Sequence, residues 1–320
     1  MFRLHVIFDS NAYRQLSDAR FQQLQALERA KAVGALASFW TIAELLSHLA
    51  STEDPSYRSA IAATRRLAVH CSTPGSERPQ LNLLADSEDH LCYTLFGKTI
   101  PNREEQTKIY AILVHRVATS VSPTDLDELR PSFTELAEKL AGTERQFVTD
   151  MWNHVVRGLD PEARSWRPSD DDPDRRQRLL ASINSTDGLR QAASMLVIKA
   201  SNEVGIILDQ RLLEEKMAFL LSVYEPPLRL YNSILKRIIL DGCDVSKAGR
   251  PNWIWDIQMA FSTSPRARLA GVPVWLITDD KAILGAAREG GACHLVHRLS
   301  RYLTLLEGPD DQLAKVVAAA

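Results

Sequence analysis

Residues 4–11, Leu-His-Val-Ile-Phe-Asp-Ser-Asn, set the fold class. Four of these first five positions are apolar, a run too short for a helix and without regular alternation with polar residues, so Leu4 to Phe8 reads as a strand buried on both faces, as in a parallel sheet. The run ends at Asp9-Ser10-Asn11, polar side chains at the carboxyl end of the strand. Leu16, Phe21, Leu24, Leu27 and Ala30 then recur at helical spacing, and Gly34 is expected to break that helix. Ala35 to Trp40 (ALASFW) reads as a second strand. Thr41 is a plausible N-cap with Glu44 three residues on, opening the helical run TIAELLSHLA.

The far end of the chain repeats this alternation. Residues 252–261 (NWIWDIQMAF) read as a helix starting near Trp253. Gly271-Val-Pro turns into a buried strand, Val274 to Ile277, which ends at Thr278-Asp279-Asp280. A short helix over Lys281 to Arg288, a strand over Cys293 to Val296 and a helix near Arg301 to Leu306 complete the pattern. Between the two ends, from Pro55 to about residue 245, the periodicity is helical throughout, broken by connectors such as CSTPGSERPQ (71–80) and the acidic RPSDDDPD (167–174). The expectation is an α/β domain with a short parallel sheet, made from residues 1–54 and 248–308 and interrupted by a large all-α insertion over 55–247; residues 309–320 form a tail.

Composition narrows the classes. With 38 basic and 40 acidic residues, net charge is -2, so any nucleic-acid partner must be met by local basic patches. Four dispersed cysteines with no CxxC pair point to reduced thiols in the cytoplasm, and no apolar run reaches the roughly 20 residues of a membrane span. There is no HExxH or HxH for zinc, no GxSxG elbow for a serine hydrolase and no GxxxxGK[ST] phosphate loop.

Four acids carry the chemistry. Asp9 and Asp280 each follow a short strand, and ligands of open α/β sheets bind beyond the carboxyl ends of strands. Glu44 and Asp256 fall in early turns of helices that can border the same edge. Gathered carboxylates repel, and hard cations with oxygen ligands, Mg2+ or Mn2+, relieve that repulsion. A phosphodiester is the natural substrate of such a site. Each acid taken singly also has a plainer use, as a helix cap or a partner of a helix dipole.

These motifs resemble the PIN-domain nucleases. VIFDSNAY is similar to the family's opening strand with Asp-x-Asn, TIAELLSHL to the helix bearing its Glu, WDIQMAF to the helix start bearing its next Asp, and LITDD to its strand ending Thr-x-Asp. The resemblance spans about residues 2–52 and 250–306. It implies a three-layer α/β/α fold, a Mg2+ or Mn2+ site held by Asp9, Glu44, Asp256 and Asp280, support from Asn11 and Thr278, and endoribonuclease activity leaving a 5′-phosphate. Asp279, in the variable slot, is an alternative ligand to Asp280. Many relatives are toxins of toxin–antitoxin pairs, which implies an antitoxin or other regulatory protein as partner. Small members bridge Glu and the next Asp by a short helical segment; here about 200 residues intervene. That insertion is expected to select a structured RNA, mediate homodimerisation or bind a regulator.

Lys247, Arg250, Arg266 and Arg268 flank the Asp256 helix and are the expected phosphate contacts. Trp253 and Trp255 stand beside Asp256 as candidates for base stacking. Two other readings share the same residues: a DNA-directed nuclease of a defence system, and a catalytically idle scaffold of this fold that binds proteins.

Overall fold

The computed structural model describes residues 3–72, 80–84, 86–150, 153, 157–162, 172–183, 185–241, 258–259, 261, 263 and 272–319. Its centre is a five-stranded sheet: β1 (Leu4–Phe8), β2 (Val33–Ser38), β3 (Leu83–Leu84), β4 (Val274–Ile277) and β5 (Val296–His297). All four pairings are parallel. The order is β3-β2-β1-β4-β5. The chain thus winds outward from β1 in one direction and then in the other, and the reversal falls between β1 and β4. In open parallel sheets such a reversal opens a crevice at the carboxyl ends of the two strands.

The α/β class and the parallel sheet agree with the sequence reading, and a three-layer arrangement is compatible with them. β1 and β4 have the bounds that sequence indicates. Every residue of β1, β2 and β4 is buried, which explains why these strands are apolar on consecutive positions. His5, inside β1, is held neutral by that burial, which lowers its pKa.

Other boundaries move. β2 begins at Val33, so Gly34 lies in the strand and does not end the helix. The preceding helix, α2 (Asp18–Lys31), is closed by Ala32 in a left-handed conformation, φ 55°, whose N–H reaches back to Arg29 and Glu28 carbonyls. A separate short helix, α1 (Ser10–Gln15), comes directly after β1. β3 is absent from the sequence reading, because two residues are too short to show a pattern. β5 is shifted to Val296–His297. Residues 310–319, expected to be a tail, form a helix whose Leu313 is buried.

The apolar interior forms two clusters. The first surrounds the sheet and draws in α3 (Phe39–Ser47), α4 (Tyr57–His70), α6 (Arg103–Thr119) and the start of α7 (Arg130–Asp150) through residues such as Leu46, Leu67, Val117 and Phe133. The second is helical, built on α5 (Ser87–Phe96) together with helices over Pro173–Ile183, Thr186–Glu203, Gln210–Val223 and Glu225–Asp241. The helix Lys281–Glu289, which follows β4, packs against Glu225–Asp241 and contributes Ala286 to this second cluster. No described helix is long and apolar enough to cross a membrane.

Candidate active site

Asp9 ends β1 beside the end of β4. The register pairs Phe8 with Ile277, and the Asp9 N–H donates to the Ile277 carbonyl at 3.1 Å. Asp9 as a whole is 3% exposed. One oxygen, Oδ1, accepts the Ala12 N–H at 2.6 Å and so caps α1. The other, Oδ2, accepts the Thr278 hydroxyl. That same hydroxyl oxygen accepts the Asp280 N–H at 3.0 Å. Thr278, with no exposed surface, is therefore a bridge between the two strand ends.

Burial pushes the Asp9 carboxyl up to about 7. The hydrogen bonds from Thr278 and Ala12 pull the other way, and the negative charges of Glu44 and Asp280 push it further up. Two other acids thus act on Asp9 through space, one from α3 and one from the end of β4. Asp280 also caps the next helix, its Oδ1 accepting the Ile283 N–H at 3.0 Å. Asp279 is partly exposed and is not among the charges that act on Asp9.

Glu44 reaches the site from a different kind of helix. In α3 the residues Phe39, Trp40, Thr41, Ile42, Ala43, Leu45 and Leu46 are all buried, so this helix is apolar nearly all round and lies in the interior. A carboxylate on such a helix needs partners, because burial of an uncompensated charge is costly. Ser10 supplies one, its hydroxyl donating to Glu44 Oε1 at 2.7 Å. Arg14 supplies another, with Nη2 at 3.9 Å from the same oxygen.

The capping role expected for Thr41 is corrected here. Ser38 is the N-cap, its side chain accepting the Trp40 N–H at 3.2 Å, and Thr41 instead donates to the Phe8 carbonyl at 2.9 Å. Glu44 lies in the interior of α3 and makes no capping box. Its plainest structural use is therefore removed.

Of the residues singled out from sequence, Asp9, Glu44, Thr278 and Asp280 come together at this edge. Asn11 is exposed on the first turn of α1. Asp256, Lys247, Arg250, Arg266 and Arg268, with Trp253 and Trp255, lie outside the described residues. Two contributors were not foreseen, Ser10 and Arg14. Ser10 stood within the quoted Asp-Ser-Asn, but nothing in a strand pattern says which of the three turns toward α3. Arg14 is five residues beyond Asp9, one helical turn past Ser10, and that spacing was the available signal.

Behind the site lies a second buried polar group. Glu28 of α2 accepts the Tyr302 hydroxyl at 2.7 Å and pairs with His70 Nε2 at 2.6 Å; His70 Nδ1 lies 3.0 Å from the Tyr13 hydroxyl, which is 3.4 Å from Cys71 Sγ. Burial drives the Cys71 thiol up to about 12 and the phenols of Tyr13 and Tyr302 well above their usual value, so all three stay protonated at neutral pH. These five side chains clamp α1 and α4 onto the back of β1, where Phe8 stacks edge-on against His70 at 5.0 Å.

The donor set at the edge is all carboxylate and hydroxyl oxygen, the chemistry of hard divalent cations. Among the described residues no three His, Cys, Asp or Glu side chains stand close enough to enclose one ion. No protein-family model, curated protein or solved structure matches the chain.

Proposed function

We propose that the chain is a divalent-metal-dependent nuclease with a PIN-like α/β domain, and that RNA is its substrate. The observation that carries the reading is Asp9: a carboxyl at the reversal of a parallel sheet, buried, pushed up to about 7, and bearing the field of two further acids from separate elements. Burial is the main cause of that shift and the two acids add to it, and groups perturbed in this way concentrate at functional sites.

Asp9 would hold the cation together with Glu44 or Asp280, and Asp256 is a further ligand implied by the family resemblance. When bound, the cation supplies a water of lowered pKa and neutralises charge on a phosphate oxygen. The chain's own part is positional. Thr278 fixes Asp9 Oδ2, Ser10 fixes Glu44 Oε1, and the cap on Ile283 fixes Asp280 Oδ1. Each acid keeps lone pairs for a cation because a carboxylate offers about four acceptor sites. An acid poised near neutrality can also hold a proton at Oδ1 or Oδ2 when no cation is present.

The test uses labelled RNA and DNA of one sequence with the purified chain, in Mn2+ and in EDTA, beside Asp9→Asn. The expected outcome is RNA cleavage by the wild type in Mn2+ alone, leaving 5′-phosphate ends. Cleavage of DNA in place of RNA would move the reading to a DNA-directed nuclease. Identical lanes for the wild type and Asp9→Asn would end it in favour of a scaffold.

A further inference from the structure

Arg14 balances the charge of Glu44, but that contact leaves most of its donors unused. It lies on α1, one turn past Ser10, with a side chain only 18% exposed. Its nearest acid is Glu44, but 3.9 Å is beyond hydrogen-bond range, and Glu44 Oε1 is already served by Ser10. The Nε and Nη2 groups are buried and have no hydrogen-bond partner among the described residues. A guanidinium kept out of water with idle donors costs stability, and the usual compensation is an anion that takes two donors at once.

Its neighbours point the same way. His48 stands four residues after Glu44, at the end of α3, so the two share a helix face at about 5–6 Å between Cβ atoms. His48 Nδ1 is 2.9 Å from Asp54 Oδ2, and Asp54 also feels the charge of Arg14. Arg14 thus lies among Glu44, Asp54 and His48, flanking the acids on the α3 side.

We propose that Arg14 is a substrate-binding residue, whose fork grips a phosphate of the polynucleotide adjoining the scissile one, on the α3 side of the site. The inference rests on the nuclease reading above. Its geometry follows from the fork: guanidinium and phosphate meet through two parallel N–H···O bonds, which a lysine cannot reproduce. Arg14 also balances Glu44 before substrate arrives, so the arginine exchanges a long contact with a carboxylate for short ones with a phosphate.

The experiment compares wild type, Arg14→Lys and Arg14→Gln, with folding checked by circular dichroism and thermal melting. RNA binding is read by fluorescence anisotropy of a labelled single-stranded oligonucleotide in EDTA, across 50–200 mM salt, an ordinary range for such contacts. Mn2+ affinity is read separately by calorimetry without RNA, and kcat and KM by cleavage in Mn2+. Arg14→Gln is expected to weaken RNA binding about tenfold and to lower the slope of log affinity against log salt by about one, with KM raised more than kcat is lowered. Arg14→Lys is expected to recover the slope but not the full affinity. If Arg14→Gln binds RNA as the wild type does, with the same slope, while its Mn2+ affinity rises, Arg14 is only the counter-charge of Glu44 and the inference fails with the nuclease reading intact. A wild type that neither binds nor cuts RNA overturns both.

Discussion

Replacing Asp9 by asparagine is expected to stabilise the protein in EDTA, increasingly so as pH rises. The carboxyl has an ordinary value of 3.8 and is raised to about 7 in the fold. The folded state therefore binds more protons than the unfolded chain between these two values. Stability attributable to Asp9 is intact below about pH 4, falls through the window from about 4 to about 7, and stays low above it. At 1.36 kcal/mol per pKa unit, the penalty is about 2 kcal/mol at pH 5 and about 4 kcal/mol at pH 8. Asparagine escapes this penalty. Its carbonyl can still accept the Ala12 N–H, and its amide can donate to the Thr278 oxygen, so the local pattern survives at some pH-independent cost. Taking the difference between pH 8 and pH 5 removes that cost and leaves about 2–3 kcal/mol, several degrees in melting temperature. The assay is thermal and denaturant unfolding of both proteins at pH 5, 6, 7 and 8 in EDTA. Saturating Mn2+ should then stabilise the wild type at pH 8 by about 2.7 kcal/mol at a hundred times its dissociation constant, and Asp9→Asn much less. A gap between the two proteins that is flat in pH, or that favours the wild type more at pH 8 than at pH 5, would show that Asp9 is not the strained group described here.

Asp280→Ala should lose about 1 kcal/mol through the missing cap on Ile283, whereas Asp280→Ser should keep the cap and the stability; both should lose cleavage, and a Ser variant that cuts RNA normally would remove Asp280 from the site. Glu28→Ala should destabilise by about 3–5 kcal/mol, because it strands His70 and the Tyr302 hydroxyl in the interior, and equilibrium unfolding at pH 7 measures it. Thr41→Val should cost about 1–3 kcal/mol by orphaning the Phe8 carbonyl at the strand end, with a fall in activity larger than Ser38→Ala produces.

The two strands carrying Asp9 and Asp280 were legible because burial on both faces forces consecutive apolar residues, a pattern that survives in five or four positions. The edge strands were not. β3 has two residues and only half-buried leucines, and β5 begins where its apolar run ends, since a short edge strand needs only a few backbone pairings. The helix end at Ala32 was misplaced because glycine is the common left-handed residue and alanine the uncommon one, so Gly34 drew the boundary. The boundary at residue 55 followed Pro55 and the helical periodicity after it; α4 and α6 bury Leu67 and Val117 in the same apolar cluster as the sheet. At the candidate site, residue type and strand-end position placed Asp9 and Asp280 at one sheet edge. Side-chain direction did not show in the letters: Thr41 faces β1 rather than its own helix, Ser10 rather than Asn11 meets Glu44, and Arg14 lies among the acids.

The Thr278 hydroxyl joins residues 269 positions apart in the chain. At the usual 5–20 residues per second, a ribosome needs about 15 to 50 seconds to travel from Asp9 to Thr278. Through all of that time β1 has no β4 beside it, and Asp9 has neither the hydroxyl nor the neighbouring acid that define its place. A nascent chain still attached to its own message therefore carries the first acids without the last, and the candidate site is assembled only as β4 docks. If the proposed RNA cleavage holds, order of synthesis is itself a safeguard: the message through the codon for Thr278 is read before the chain can cut it.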